Sequence, residues 1–237
     1  MRQLKTTYKF LFFDLDHTLW DYTSNSEETL RELYEKYGLA QVGNFCTDTF
    51  CQTFDKVNRQ LWSLNEAGAL GRDELRRQRF VRVLEALGNT SVPEWVSEGL
   101  DRDYMSICPA KGGLLPYARE VLEHCHKRFP MYVLTNGFRD VQDIKLEAAG
   151  INHFFDGIFT AEDAGVSKPN TFFFEYVLRK VGAKPQECLM VGDNLKADII
   201  GAASAGIDSV YYNPYRRKYN VPVQRDIHCL SELLTML

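Results

Sequence analysis

The sequence lacks several features that would assign it at once to a class of protein. Its six cysteines form no C-x-x-C pair, and no stretch reaches the ~18 apolar residues of a membrane-spanning helix. It has no internal repeat, no low-complexity segment and no basic run, and its net charge is −4. These absences argue against a disulfide-rich protein, a membrane protein and a partner of nucleic-acid polymers. We therefore expect reduced, mostly buried cysteines and a cytoplasmic location.

The N-terminus also lacks a recognisable targeting signal. Met1–Lys5 leads directly into an apolar segment that ends in acidic residues, and a cleavable signal would have to include them. The chain does have enough apolar material for a core, because 45% of its 237 residues are hydrophobic. This length predicts one large domain, or one domain with an insertion.

The stretch from residue 10 to residue 19 organises the rest of the chain. Four apolar residues, 10–13, are typical of a strand buried on both faces, and they lead into Asp14 and Asp16. Ligands bind at the carboxyl edge of open α/β sheets, where such a strand ends. Two carboxylates at close range favour a cation between them, such as Mg²⁺, or a protonated carboxyl that acts as a general acid. Two solvated aspartates at a strand end are the alternative at this point.

Helical periodicity then continues for about ninety residues, much longer than a usual connection. The second helix is expected to bury Leu64 and the fourth to bury Trp95. Since strands precede and follow these helices, we expect a small helical bundle inserted into a core. The first predicted helix begins in the capping box Ser24-x-x-Glu27 and ends at Gly38. The second helix is predicted over 48–66, the third over 73–87, and the fourth begins at Pro93.

Strands and helices alternate in the remainder of the chain, which implies βαβ crossovers and a parallel sheet. The fold class is therefore α/β, with a Rossmann-like parallel sheet core and an inserted α-helical bundle. We expect the core to comprise 1–20 and 108–237, and the insertion 21–107. The later strands are predicted over 131–135, 157–160, 188–192 and 209–212, and the later helices over 116–128, 139–149, 171–181, 195–205 and 231–237.

Chemically capable residues follow three of these later strands. Thr135 and Asn136 could hold phosphate oxygens at a strand-to-helix turn, and Lys168, before a proline, could balance the carboxylates. Asp193 ends another strand, and Asp198 falls about one turn into the next helix. Each residue also has an ordinary interpretation, as a turn residue, a surface lysine, a helix cap or part of a solvated helix face.

The four motifs together resemble the haloacid dehalogenase-like (HAD) superfamily over the whole chain. They occur in the order Asp-x-Asp-x-Thr at 14–18, Thr-Asn at 135–136, Lys-Pro at 168–169 and Gly-Asp-x-x-x-x-Asp at 192–198. The resemblance implies the HAD fold with a helical C1-type cap. It also implies phosphoryl transfer, because the dehalogenase branch of the superfamily lacks the aspartate found here at position 16.

The resemblance further implies roles for these residues. Asp14 attacks phosphorus to form an aspartyl-phosphate, and Asp16 acts as general acid and then base. Lys168 completes the catalytic set, Thr18 supports the site, and Asp198 orients Lys168 or a metal-bound water. The implied cofactor is Mg²⁺, held by Asp14, by Asp193 and by the backbone carbonyl of Asp16. The implied ligands of the phosphoryl oxygens are Thr135, Lys168 and the N–H of Asn136.

A narrower resemblance, carried by 57–62, 71–80 and 135–138, is to the pyrimidine 5′-nucleotidase subgroup, which hydrolyses nucleoside monophosphates. It makes Asn58, Arg59 and Trp62 candidate substrate contacts, although Trp62 also suits packing within the cap. The expected partner is a small phosphomonoester, with no nucleic-acid polymer or membrane, and the expected state is a monomer or homodimer. Open alternatives are a sugar-phosphate or N-acylneuraminate-9-phosphate phosphatase, a phosphomutase, and a non-enzymatic phosphate-binding or receiver-like signalling protein.

Overall fold

The computed structural model describes residues 8–89 and 94–237, apart from the side chain of Glu94. The chain divides into two compact units. The core unit consists of Met1–Tyr22, as far as it is described, and Gly112–Leu237, and the helical unit is Thr23–Lys111. The expected helix start at Pro93 and the N-terminal segment 1–5 lie outside the described residues.

The core unit is built on one six-stranded parallel sheet. The predicted α/β fold class is confirmed, and the apolar run before Asp14 forms a central strand whose Leu11, Phe12 and Phe13 are fully buried. In chain order the strands are β1 (Phe10–Phe13), β2 (Met131–Thr135), β3 (Gly157–Thr160), β4 (Cys188–Gly192), β5 (Asp208–Tyr212) and β6 (Arg225–Ile227). Their order across the sheet is β3-β2-β1-β4-β5-β6, so β1 pairs with both β2 and β4.

The helical unit has an aromatic core. The ring centroid of Phe54 lies 5.2 Å from that of Phe80 and 4.9 Å from that of Tyr104. Buried Arg79 lies against these rings and forms a 2.5 Å ion pair with Asp101, so its charge is balanced inside the unit. The helices are α1 (Tyr22–Lys36), α2 (Leu39–Val42), α3 (Thr47–Glu66), α4 (Arg72–Ala86) and α5 (Glu94–Ile107).

Three details predicted for these helices are wrong. The N–H of Asp21 donates to the carbonyl of Gly113, and the chain turns into α1 directly afterwards, so Ser24 lies inside the first turn and not at a cap. Leu64 and Trp95 are exposed, by 38% and 67% respectively. Each lies at an end of its helix, beyond the part of the apolar stripe that reaches the aromatic core.

Helices of the core unit follow the strands. They are α6 (Ala118–His126), α7 (Arg139–Ala148), α8 (Ala161–Ala164), α9 (Thr171–Val181) and α10 (Gly201–Ser204), with short 3₁₀ segments at 152–154, 185–187 and 230–235. A further 3₁₀ segment, 108–110, lies near the end of the helical unit. Phe173, Phe174 and Val177 of α9 pack into one cluster with Phe12 and Leu134 of the sheet. This packing fixes the strands whose ends carry the polar motifs.

The core unit corrects the predictions in three places. The helix predicted from 116 begins only at Ala118, after Tyr117 adopts a left-handed backbone with φ of 66°. The single helix predicted over 195–205 is a π-helical segment, Leu195–Ile200, followed by α10. Strand β6 lies outside the predicted strands, because it has three residues and two of them are charged.

The structure shows the state of the cysteines and the character of the described helices. All six cysteines are free, and four of them, Cys51, Cys108, Cys125 and Cys188, are buried. None of the helices in the described ranges has the length and apolar character needed to cross a membrane.

Two adjacent phenylalanines in α9 provide a test of the core packing. Phe173 is fully buried in the cluster on the sheet, whereas its neighbour Phe172 is 65% exposed. Phe173→Ala should lower the free energy of unfolding by about 3–5 kcal/mol because it leaves a cavity, and Phe172→Ala should change it by less than about 0.5 kcal/mol. Urea denaturation followed by circular dichroism measures both. Equal losses for the two variants would contradict this packing.

Candidate active site

The turn after β1 brings Thr18 back to Asp14. The N–H of Asp14 donates to the carbonyl of Val191 on β4, which continues the sheet to this residue. The carbonyl of Leu15 then accepts from the backbone N–H groups of residues 18, 19 and 20, and His17 adopts a left-handed backbone with φ of 65°. This tight winding leaves the hydroxyl of Thr18 3.3 Å from Oδ2 of Asp14.

Lys168 supplies the cation of the site. It is almost fully buried, and its Nζ donates to Oδ1 of Asp14 at 2.8 Å, to Oδ1 of Asp198 at 2.6 Å and to the carbonyl of Leu134 at 2.5 Å. An ammonium group has three protons, and these three acceptors use all of them. A buried charge needs this degree of compensation, so Lys168 is held as a cation between two carboxylates.

Asn136 fixes the loop that carries Lys168. Its Oδ1 accepts from the backbone N–H of Lys168, and its Nδ2 donates to the carbonyl of the same residue, both at 2.9 Å. The peptide bond between Lys168 and Pro169 is cis. The sequence analysis predicted only a phosphate-binding N–H for Asn136, and did not predict this reciprocal pair of side-chain bonds.

The end of β4 brings two more carboxylates to the same edge. Oδ1 of Asp193 lies 3.3 Å from the hydroxyl of Thr18, which also accepts from the N–H of Asp193 at 3.1 Å. Asp198, in the π-helical segment, accepts from the N–H of Asn194 through Oδ2. The carboxylate of Asp198 lies so close to Gly192 that a Cβ at Gly192 would overlap it. Glycine at the end of β4 is therefore a requirement of the site.

Carboxylate oxygens of Asp14, Asp193 and Asp198 lie within 4.8 Å of one another. Burial raises the pKa of Asp14 to about 7, although Lys168 lowers it, and burial together with the charge of Asp14 raises the pKa of Asp193. Burial alone would lower the pKa of Lys168, but the charges of Asp14 and Asp198 outweigh it and raise that pKa. Three ionised carboxylates would exceed the one ammonium, and their oxygens suit a hard divalent cation, so the donor set fits Mg²⁺.

Thr135 ends the neighbouring strand β2 and is buried. Its Oγ1 accepts from the N–H of Gly137 at 2.9 Å, which fixes the turn into α7. A Cβ at Gly137 would meet the side chain of Gln142 at 2.5 Å, so this glycine permits the close turn. The strand pairing of β1 with β2 therefore brings Thr135 and Asn136 to the same sheet edge as Asp14.

The carboxylate of Asp16 has a partner that the sequence analysis missed. Both of its oxygens accept from Nζ of Lys145, at 2.7 and 2.8 Å. Lys145 is on α7, and its side chain is only 7% exposed. A signal existed in the sequence, because Lys145 occupies the buried face of an otherwise amphipathic helix, next to Leu146 and one turn after Gln142.

The three candidate substrate contacts lie on α3 of the helical unit and differ in exposure. Asn58 is buried, whereas Arg59 is exposed and forms a 2.6 Å i,i+4 ion pair with Asp55. Trp62 is partly buried, with the guanidinium of Arg72 5.8 Å from its ring centroid. Asn58 and Arg59 therefore point to different sides of the helix.

Comparison with known proteins agrees with this arrangement. The family model of the haloacid dehalogenase-like hydrolases matches residues 8–206. The pyrimidine 5′-nucleotidase PynA of Streptococcus pneumoniae is 29% identical over 97% of this chain and 95% of its own length. The pyrimidine 5′-nucleotidase YjjG of Escherichia coli is 30% identical over 89% of this chain and 88% of its own. The HAD-hydrolase YfnB of Bacillus subtilis, solved bound to magnesium, superposes with a TM-score of 0.85 at 29% identity, covering 98% and 99% of the two chains.

The contact between Gly192 and Asp198 leads to a prediction. Gly192→Ala should push the Asp198 carboxylate away from Lys168 and lower the free energy of unfolding by about 1–3 kcal/mol, as overpacking does elsewhere. Gly71→Ala is the control, because a Cβ there meets nothing within 4 Å. Thermal unfolding measures both variants. A Gly192→Ala protein as stable as the Gly71→Ala protein would show that this close approach is not required.

Proposed function

The chain belongs to the haloacid dehalogenase-like hydrolase family, and from this premise we propose that it is a Mg²⁺-dependent phosphomonoesterase that acts on pyrimidine nucleoside 5′-monophosphates. The observation that carries the proposal is the buried carboxylate of Asp14, which lies at the end of the central strand between Lys168 and two further aspartates. Asp16 follows two residues later, as phosphoryl transfer requires in this family. The chemistry and the substrate class rest on different observations.

Asp14 is the proposed nucleophile. Its carboxylate attacks phosphorus, an acyl-phosphate bond forms, and the bond from phosphorus to the ester oxygen breaks. Asp16 gives its proton to the departing oxygen, so the alcohol leaves neutral. Water then attacks phosphorus, Asp16 takes back a proton, and Asp14 is released together with inorganic phosphate.

The groups that would hold Mg²⁺ are the carboxylates of Asp14 and Asp193 and the backbone carbonyl of Asp16. The chemistry that this ion would supply is neutralisation of the negative charge on the phosphoryl group and on the carboxylate of Asp14. Asp198 has a different proposed task. Its oxygens already accept from Lys168 and from the N–H of Asn194, so it orients the lysine.

Thr135, the N–H of Asn136 and Lys168 are proposed to bind the phosphoryl oxygens. Thr135 and Asn136 would donate hydrogen bonds, and Lys168, whose three protons already go to Asp14, Asp198 and the carbonyl of Leu134, contributes its positive charge beside them. Negative charge spreads over these oxygens during transfer, and donors that are fixed beforehand stabilise it most. The reciprocal bonds between Asn136 and the backbone of Lys168 keep two of these groups in one rigid arrangement. Thr18 supports the site through its bonds to Asp14 and Asp193.

The substrate class is taken from the relatives. PynA and YjjG are both pyrimidine 5′-nucleotidases, and each matches most of this chain. The helical unit, 21–107 by the sequence analysis, is proposed to be the cap that selects the substrate, with Asn58, Arg59 and Trp62 as its contacts. A small phosphomonoester is thus the proposed partner.

The first test is phosphate release from a panel of nucleoside monophosphates and sugar phosphates in the presence of Mg²⁺. We expect pyrimidine monophosphates to be hydrolysed fastest. Asp14→Asn should lower kcat at least about a thousandfold, because no acyl-phosphate can form on the amide. The same variant also reports contaminating phosphatase. Preference for sugar phosphates would overturn the substrate class, and near-native rates in the variant would overturn the nucleophile.

Metal binding gives a test that does not depend on turnover. Asp193→Asn should weaken Mg²⁺ binding at least about tenfold, because it removes one charged ligand from the cluster. Asp143→Asn is the control, since this carboxylate is 62% exposed on α7 and pairs only with Arg139 in the contacts of the described residues. Isothermal titration with MgCl₂ measures both dissociation constants. Equal affinities in the two variants would contradict the proposed metal site.

A further inference from the structure

Lys145 makes a contact that the proposed mechanism does not use. Its Nζ lies 2.7 and 2.8 Å from the two oxygens of Asp16 and 4.5 Å from the ring centroid of Trp20. All three residues belong to the core unit, and Lys145 and Asp16 are 129 residues apart in the sequence. The ammonium group therefore contacts both a carboxylate and an aromatic ring.

The residues around Lys145 are buried and hydrogen-bonded. Trp20 is fully buried. Its backbone N–H donates to the carbonyl of Leu15, and its backbone carbonyl accepts from the backbone N–H of His17. The backbone of Trp20 also forms an isolated β-bridge with Asp16. The indole and the carboxylate thus come from one tightly wound turn, and α7 brings the lysine to both of them.

Burying a lysine is costly unless its charge is compensated, so a lysine on the apolar face of α7 has to be explained. Its side chain is 7% exposed, while that of Asp16 is 24% exposed. Within this ion pair the lysine is therefore the buried partner, and the carboxylate is the partner that is accessible to solvent. This arrangement stabilises one orientation of a carboxylate that would otherwise rotate freely at the end of the sheet.

We infer that Lys145 is a positioning residue for the carboxyl group of Asp16. Its bond to one oxygen holds the group in place, while the other oxygen gives up its bond to Lys145 to carry the proton that goes to the leaving alcohol and is later taken from water. The inference rests on the proposed function, since it assigns a task to Lys145 only if Asp16 is the acid and base. Trp20 adds the aromatic ring over which the ammonium group lies. Lys145 itself touches neither the phosphoryl group nor the leaving alcohol in this scheme.

A positioning role predicts a dependence on the leaving group. An alkyl oxygen, as in uridine 5′-monophosphate, has to be protonated as it leaves, whereas p-nitrophenolate leaves without a proton. Lys145→Met should lower kcat for uridine 5′-monophosphate, or for the alkyl phosphate of the panel that is hydrolysed fastest, by about 10- to 100-fold. The pre-steady-state release of p-nitrophenolate from p-nitrophenyl phosphate should change less than about twofold.

Lys180→Met is the matched control. Lys180 also lies over an aromatic ring, 5.5 Å from the centroid of Tyr176, but it is exposed on α9. This variant removes the same charge and the same kind of ring contact, and both rates should stay at the wild-type level. Circular dichroism and thermal unfolding of each variant establish that it is folded. If Lys145→Met does not fold, Lys145→Gln, which keeps a polar side chain next to Asp16, takes its place with the same criteria.

A double-mutant cycle separates positioning from a general structural effect. If Lys145 acts through Asp16, adding Lys145→Met to Asp16→Asn should lower the residual rate on the alkyl phosphate by less than about twofold. Full additivity of the two losses, an equal loss for both leaving groups, or an unchanged kcat in Lys145→Met would overturn the inference. A wild-type protein that hydrolyses neither substrate would instead overturn the proposed function, and the inference with it.

Discussion

The ammonium group of Lys168 is the interaction on which the site depends. It joins Asp14 after β1, Asp198 after β4 and the carbonyl of Leu134 in β2, so one side chain connects three neighbouring strands at their carboxyl ends. Without it, two buried carboxylates would face each other with no positive charge between them. The sheet order, with β1 in the centre, is what allows a single cation to reach all three.

Small residues and short turns make this arrangement sterically possible. Gly192 leaves room for the Asp198 carboxylate, and Gly137 leaves room for Gln142 beneath the Thr135 turn. Asn136 holds the backbone on both sides of Lys168, so the position of the cation is set by strand β2 as much as by its own loop. The site is therefore a set of mutual constraints between strand ends, and the apolar cluster under the sheet keeps those ends in register.

The sequence predicted what depends on local pattern and on strand ends. Apolar runs that stop at polar residues located β2, β3 and β4 to the residue, and a parallel sheet then requires Asp14, Thr135 and Asp193 to share an edge. It could not predict Lys145 as the partner of Asp16, because pairing over 129 residues depends on how α7 packs. It also could not predict the three-residue strand β6 or the π-helical segment 195–200, because tertiary contacts and not local propensity decide both.

The hydroxyl of Thr18 and the carboxylates around it have a thermodynamic consequence. Among the contacts of the described residues, five of the six carboxylate oxygens of Asp14, Asp193 and Asp198 accept from Lys168, Thr18 or the N–H of Asn194. The one proton of Thr18 serves either Asp14 or Asp193 at a given moment. At this site the carboxylate oxygens therefore outnumber the protons that these groups donate to them. By mass action, any cation that binds there and not to the unfolded chain adds to the free energy of unfolding. With the proposed metal site, the stability of the core unit depends on the free Mg²⁺ of its solution, and a chelator lowers that stability by removing the bound ion.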